Sequence, residues 1–199
     1  MNNNNVNFVD KEKVWMDYVQ YALNPDVWYF HSELIKNSGD ILYEQYIKED
    51  NNVEKKPSYH NYIRLTYGYS LENLMKGILI KTKKESDFEN GFPPDLKNHN
   101  LKYLYKLLIE KKLLNSESDR FLHEFYLKLF TSCIESYGRY PIPTNKEKLP
   151  KRLLYEKRKY KDIKNYEKIN FTNENYLRFI TEDEIKYINS LTNYLKEFY

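Results

Sequence analysis

Glu72, Lys76, His99 and Arg139, with Tyr140 beside the last, are the residues of this chain whose types could do chemistry together. An arginine holds a phosphate through a rigid two-pronged fork, a histidine or lysine adds a further donor, and a tyrosine ring supplies a stacking face. Glu72 and Lys76 stand one helical turn apart in the favourable acid-before-base order. On an exposed face that pair contributes only about 0.2–0.5 kcal/mol, so a surface ion pair is the plain alternative to a site. His99 stands at or just before the first turn of a helix, where an imidazole usually caps or packs. No second histidine, cysteine or carboxylate lies beside it at ligand spacing, so no metal site is expected. Arg139 follows Gly138, a natural helix stop, and precedes Tyr140-Pro141-Ile142-Pro143. Its charge faces the negative end of the preceding helix, and the prolines hold the backbone extended. Arg139 as a helix cap and Tyr140 as a plug of the bundle end is the equally simple reading.

Several reaction classes find no support. The chain has no glycine-rich phosphate loop, no pair of histidines four apart around a glutamate and no serine in a nucleophile elbow. Hydrolysis by a bound metal or of a nucleoside triphosphate is therefore not expected, no cofactor is implied and no catalytic residue is assignable. Cys133 is the only cysteine, which excludes an intramolecular disulfide and a cysteine metal cluster and suits a reducing cytoplasm. The start, Met1 and four asparagines, lacks the apolar core of a signal peptide, and no apolar run reaches the roughly 20 residues of a membrane span. A cytoplasmic protein without a membrane partner is expected.

Net charge is only +3, yet its distribution is uneven. From Lys146 to Lys168 ten lysines or arginines face four acids, a local +6 that leaves −3 for the remainder. Within it Lys151, Arg152, Lys157, Arg158 and Lys159 are candidates for contacting nucleic-acid phosphates. The 21 tyrosines reflect an A/T-rich coding bias more simply than a dedicated surface, since half-buried phenol rings serve any helical bundle.

The elements that must position these residues read as helices nearly throughout. A chain of 199 residues with 41% hydrophobic content supports one domain with a true core. Residues 1–9 read as a disordered N-terminus, 10–145 as a helical bundle, 146–180 as a basic arm and 181–199 as a last helix docking on the bundle or on a second subunit. The first helix turns Val14, Tyr18 and Tyr21 or Ala22 inward. Asn24-Pro25 ends it and starts the next, whose in-phase stripe Val27, Phe30, Leu34, Ile41 and Gln45 carries the helix through Gly39 despite a cost of about 1 kcal/mol. Ser58 opens a helix with the stripe Ile63, Tyr67, Leu71, Leu74, Met75 and Ile78. His60 and Arg64 extrapolate onto the same stripe, so either the helix starts after Ser58, the simpler reading, or the two line a polar pocket. His99 to Lys112 is a short helix with Leu101, Leu104, Tyr105 and Leu108 inward. Glu117 to Tyr137, launched by Ser116-x-x-Asp119, is apolar nearly all round and belongs at the centre. Thr181-x-x-Glu184 reads as a capping box for a final helix with the seam Ile185, Ile188, Thr192, Leu195 and Tyr199. The fold class is all-α, a bundle of five or six helices.

Three segments in this order, Ser70-Leu71-Glu72-Asn73-Leu74-Met75-Lys76-Gly77, Asn98-His99-Asn100-Leu101 and Gly138-Arg139-Tyr140-Pro141, resemble the HEPN superfamily of small all-helical proteins. The likeness runs from about Tyr59 to Pro143. Members of that family are linked to nucleic acids, toxin–antitoxin pairs and phage defence. The resemblance implies that Glu72 and Lys76 are its polar pair and that His99 lies close to Arg139, with Glu72 the acid able to balance a buried arginine. Active HEPN ribonucleases carry an arginine followed after four to six residues by a histidine. No arginine here has that partner; from Arg139 the positions fall on Thr144, Asn145 and Lys146, and His123 is too close to Arg120. The expected function is thus a non-catalytic HEPN-like module that binds nucleic acid, a nucleotide or a partner protein such as an antitoxin, in a defence or stress system. The alternative is a metal-independent HEPN-type ribonuclease toxin using Arg139 and a displaced base, His99 or His123. A scaffold that forms a homodimer through the last helix is the third reading.

Overall fold

A computed structural model describes residues 10–48, 56–115, 124–137 and 180–199. The fold is all-α. The described residues form α1 (Lys11–Leu23), α2 (Pro25–Lys48), α3 (Lys56–Ile80), a one-turn α4 (Pro94–Lys97), α5 (Leu101–Glu110), α6 (Glu124–Ser132) continued by a π turn (Cys133–Tyr137), and α7 (Glu182–Lys196). A short 3-10 turn, Glu85–Phe88, lies in the connection before α4.

Local signals set the boundaries. The Asp10 carboxylate accepts from the amides of Glu12 and Lys13 and opens α1. Asn24 closes α1 and its side chain accepts from the Asp26 amide, so Pro25 starts α2 where a missing N–H costs nothing. Gly91, at φ +96, makes the turn toward α4 that a side chain would disfavour.

α3 is the centre of the bundle. It packs against α2, α5, α6, the π turn and α7, and Ile63, Tyr67, Leu71, Leu74, Met75, Ile78, Leu79 and Ile80 are almost wholly buried on it. The sequence pointed instead to 117–137. Residues 116–123 lie outside the described part, and on α6 Leu127 and Phe130 are buried whereas Phe125, Tyr126 and Leu129 are half-buried. α3 is less conspicuous in sequence because it also buries polar side chains, which dilute its apolar pattern.

α2 and α3 pair antiparallel, and small residues set their distance. Ser32 Oγ lies 2.9 Å from both the carbonyl and the hydroxyl oxygen of Ser70. A Cβ on Gly39 would come within 2.8 Å of Thr66 Oγ1 and 2.9 Å of the Tyr67 ring. Gly39 is therefore tolerated in mid-helix because α3 passes directly over it. That contact turns Ser32, Gly39 and Tyr46 inward and leaves Phe30, Leu34 and Ile41 exposed, reversing the face expected from the apolar stripe. On α1, Val14, Tyr18 and Tyr21 are likewise exposed, whereas Val19 is buried and Ala22, the alternative to Tyr21, packs partly against the core. Large apolar side chains marked a face, but close backbone approach decided which face packs.

α7 docks on α3 with Ile188, Leu191 and Leu195 buried. Tyr199 Oη donates to the Leu74 carbonyl at 2.8 Å, and Lys81 Nζ donates to the Phe198 carbonyl at 2.6 Å.

Candidate functional site

His99 is held from both sides of its own turn. The Asn98 side chain accepts from the Asn100 amide at 2.8 Å, and the Asn100 side chain caps α5 by accepting from the Tyr103 amide at 3.0 Å. The next amide, Leu101 N, donates to Thr131 Oγ1 at 3.0 Å, and that hydroxyl donates to the Leu127 carbonyl at 2.7 Å. The Asn-His-Asn sequence is thus a pair of side-chain-closed turns bolted to α6. The imidazole projects between them toward α3.

There it meets Glu72. His99 Nδ1 lies 3.0 Å from each carboxylate oxygen, and Lys76 Nζ donates to Oε1 at 2.6 Å. The Glu72 and Lys76 side chains are only 7% and 6% exposed, whereas that of His99 is 43% exposed. The pair is therefore a buried ion pair and not the surface pair that spacing alone allowed. α3's central position explains this, because its flank is covered by α5 and the turn before it.

The geometry dictates the state of the ring. A nitrogen facing two carboxylate oxygens is the one that carries a proton, so the neutral ring keeps its lone pair on Nε2. Among the described residues Nε2 has no hydrogen-bond partner. Glu72 and Lys76 cancel in charge, which leaves the charge of the cluster equal to that of the imidazole. A carboxylate-oriented imidazole of this kind can take or give a proton at Nε2 or, when charged, donate to an anionic oxygen.

Of the residues singled out in the sequence, Glu72, Lys76 and His99 come together. Arg139, Tyr140, Lys151, Arg152, Lys157, Arg158, Lys159 and His123 lie outside the described residues, and with them the expected closeness of His99 and Arg139.

A second polar centre lies on α3, where the simpler sequence reading has none. α3 begins at Lys56, before Ser58, and His60 and Arg64 are both buried on it. Arg64 forks onto Glu184 of α7, Nε to Oε2 and Nη2 to Oε1 at 2.8 Å each, with both side chains 1% exposed. Glu184 was expected to reach back to its own helix start. Only half of that box forms: Thr181 Oγ1 accepts from the Glu184 amide at 3.2 Å while the carboxylate turns inward to Arg64. The signal was present, since an arginine in phase with an apolar stripe needs a partner from elsewhere in the chain. Cys133 adjoins this centre, and burial pushes its thiol up to about 12, helped by Glu184 and opposed by Arg64.

Among the described residues no three His, Cys, Asp or Glu side chains gather as a metal ion would require, and no helix is long and apolar enough to cross a membrane. No family model, curated protein or solved structure matches the chain. What the site can do rests on its own geometry.

Proposed function

We propose that the protein is a non-catalytic, HEPN-like helical module that binds nucleic acid, acting within a bacterial defence or stress system. One observation carries this reading: Glu72 fixes the His99 ring through Nδ1, and Nε2 is without a partner among the described residues on a half-exposed side chain. A charged imidazole so held donates to a phosphate oxygen without first losing its orientational freedom. The basic run from Lys146 to Lys168 supplies the longer-range attraction that a single imidazole lacks. Arg139 is the candidate second phosphate ligand, and a partner protein such as an antitoxin fits the same biological setting.

The same dyad favours a second reading, a metal-independent ribonuclease. A carboxylate-oriented imidazole with its lone pair on Nε2 is also able to accept the proton of a ribose 2′-hydroxyl.

Fluorescence anisotropy with a labelled single-stranded RNA, in chelator and over a salt series, tests both. Under the binding reading the RNA stays intact, affinity falls linearly with salt on logarithmic axes, and His99→Ala weakens binding about tenfold or more, as expected for one charge-assisted hydrogen bond. RNA cleavage that disappears in His99→Ala would replace the binding reading with the ribonuclease. Absence of both binding and cleavage would end the two together.

A further inference from the structure

Asn73 follows Glu72 in sequence and points roughly 100° away around the α3 axis. It reaches a different place, a cavity of about 300 Å³ between α1, the start of α2 and the loop after the 3-10 turn. Trp15, Tyr18, Trp28, Phe88 and Phe92 are among its lining residues, and no aspartate, glutamate, lysine or arginine lines it.

Several polar atoms of this wall are engaged by the protein itself. Trp28 Nε1 donates to the Ala22 carbonyl at 2.7 Å, so the indole shows the cavity only its ring. Tyr21 Oη and His31 Nε2 lie 3.1 Å apart and satisfy each other. Asn73 Nδ2 donates to the Tyr69 carbonyl at 2.8 Å, while Oδ1 has no partner among the described residues. Trp15 Nε1, Tyr18 Oη and His31 Nδ1 also have no partner among the described residues, so the cavity offers aromatic surface with few polar atoms, of which Asn73 Oδ1 is the one that can only accept. Its inner wall is well supported: Phe88 is 1% exposed and stands edge-on to Phe92 with ring centres 5.5 Å apart. Its lip is left in water, with Tyr18 65% exposed.

Those features select a ligand class. A volume near the bottom of the ligand-pocket range, about 300–1,000 Å³, fits one or two rings and not a dinucleotide. Aromatic walls favour a planar aromatic guest, which meets them by stacking or edge contact. A nucleobase carries several polar edges, which a mostly aromatic wall would strip of water. A cation would find no carboxylate in the wall. We propose that this cavity is a binding site for a small, neutral, planar aromatic molecule of the indole or phenol class, whose single N–H or O–H donates to Asn73 Oδ1. This site is independent of the Glu72–His99 cluster, and its failure would leave the nucleic-acid reading untouched.

The test uses a convenience of the sequence. The chain has two tryptophans and both line the cavity, so the two indole N–H signals in a nitrogen–proton NMR spectrum of the full chain report on this site. The probes are indole, 1-methylindole, adenine and tetramethylammonium. Indole is expected to shift both signals saturably, with 1-methylindole, which lacks the donor, at least tenfold weaker. Asn73→Leu should abolish that difference while indole itself still binds. No saturable shift with indole, equal binding of the two indoles to the native protein, or adenine or tetramethylammonium binding as tightly as indole would each overturn the proposal. The comparison of the two indoles on the native protein stands even if the variant fails to fold.

Discussion

Among the described residues, Arg64 and Glu184 form a buried side-chain contact on which stability should depend steeply. Both are 1% exposed and joined by two bonds of 2.8 Å, so removing Arg64 strands the Glu184 charge away from water. Arg64→Met should therefore cost about 3–5 kcal/mol, read as a fall in the urea midpoint. Adding Glu184→Leu to that variant should restore most of the loss, because an apolar pair of similar volume avoids the stranded charge. A single variant within about 0.5 kcal/mol of the native protein would show the pair to be energetically idle. His99 behaves differently: its ring is half-exposed and Glu72 keeps Lys76 as a partner, so His99→Ala should cost no more than about 1–3 kcal/mol, less than Arg64→Met. That smaller cost leaves it usable as a probe of binding.

At the scale of the element, the α2–α3 contact makes a prediction that propensity alone would reverse. Alanine is favoured over glycine inside a helix by about 1 kcal/mol. At Gly39 the added methyl would press on Thr66 and Tyr67, an overpacking cost of about 1–3 kcal/mol, so Gly39→Ala should destabilise. Phe30→Glu and Ile41→Glu, on the exposed face, should each change stability by no more than about 0.5 kcal/mol. Thermal melts of the three variants give the order directly, and a stabilised Gly39→Ala would mean the helices are less closely packed than described. The same contact shows what sequence could and could not tell. Asn24-Pro25 and Thr181 marked helix starts because capping depends on neighbours in the chain. The inward set of α5 was legible, since Leu101, Leu104, Tyr105 and Leu108 all lie on one face and are all buried. The packing face of α2 was not, because Ser32 and Gly39 carry no hydrophobic signal and their role exists only opposite Ser70, Thr66 and Tyr67. Likewise Glu72, Lys76 and His99 could be named as candidates, whereas the burial of the first two depends on α5 covering α3, which periodicity on α3 alone does not contain.

For the molecule as a whole, buried phenols and the thiol set the alkaline limit. Burial pushes Tyr126 up to about 12, and pushes Tyr67, Tyr187 and Tyr199 up as well; Asp40 adds to the effect on Tyr67 through a hydrogen bond. Cys133 is pushed from 9.0 up to about 12 for the same first cause. In the unfolded chain these groups lose their protons first, so the unfolded state binds fewer protons as pH rises and stability falls. Their stabilising contribution is fully present below about pH 9 and declines as pH climbs toward about 12. Circular dichroism melts over that interval should show a falling Tm, and a fraction of the tyrosinate absorbance should appear only on unfolding. A Tm that stays flat between about pH 9 and pH 11 would contradict this.

The Arg64–Glu184 fork joins positions 120 residues apart in the chain, while α2 and α3 are neighbours in sequence. Closing so large a loop costs entropy before the contact returns anything, so the fork should form late on the folding route. Stopped-flow kinetics would then separate the two parts of the bundle. Leu42→Ala, on α2, should chiefly slow folding, and Leu191→Ala, on α7, should chiefly accelerate unfolding. α7 is accordingly the element expected to let go first, opening and reclosing while the α2–α3 hairpin keeps its amide protons.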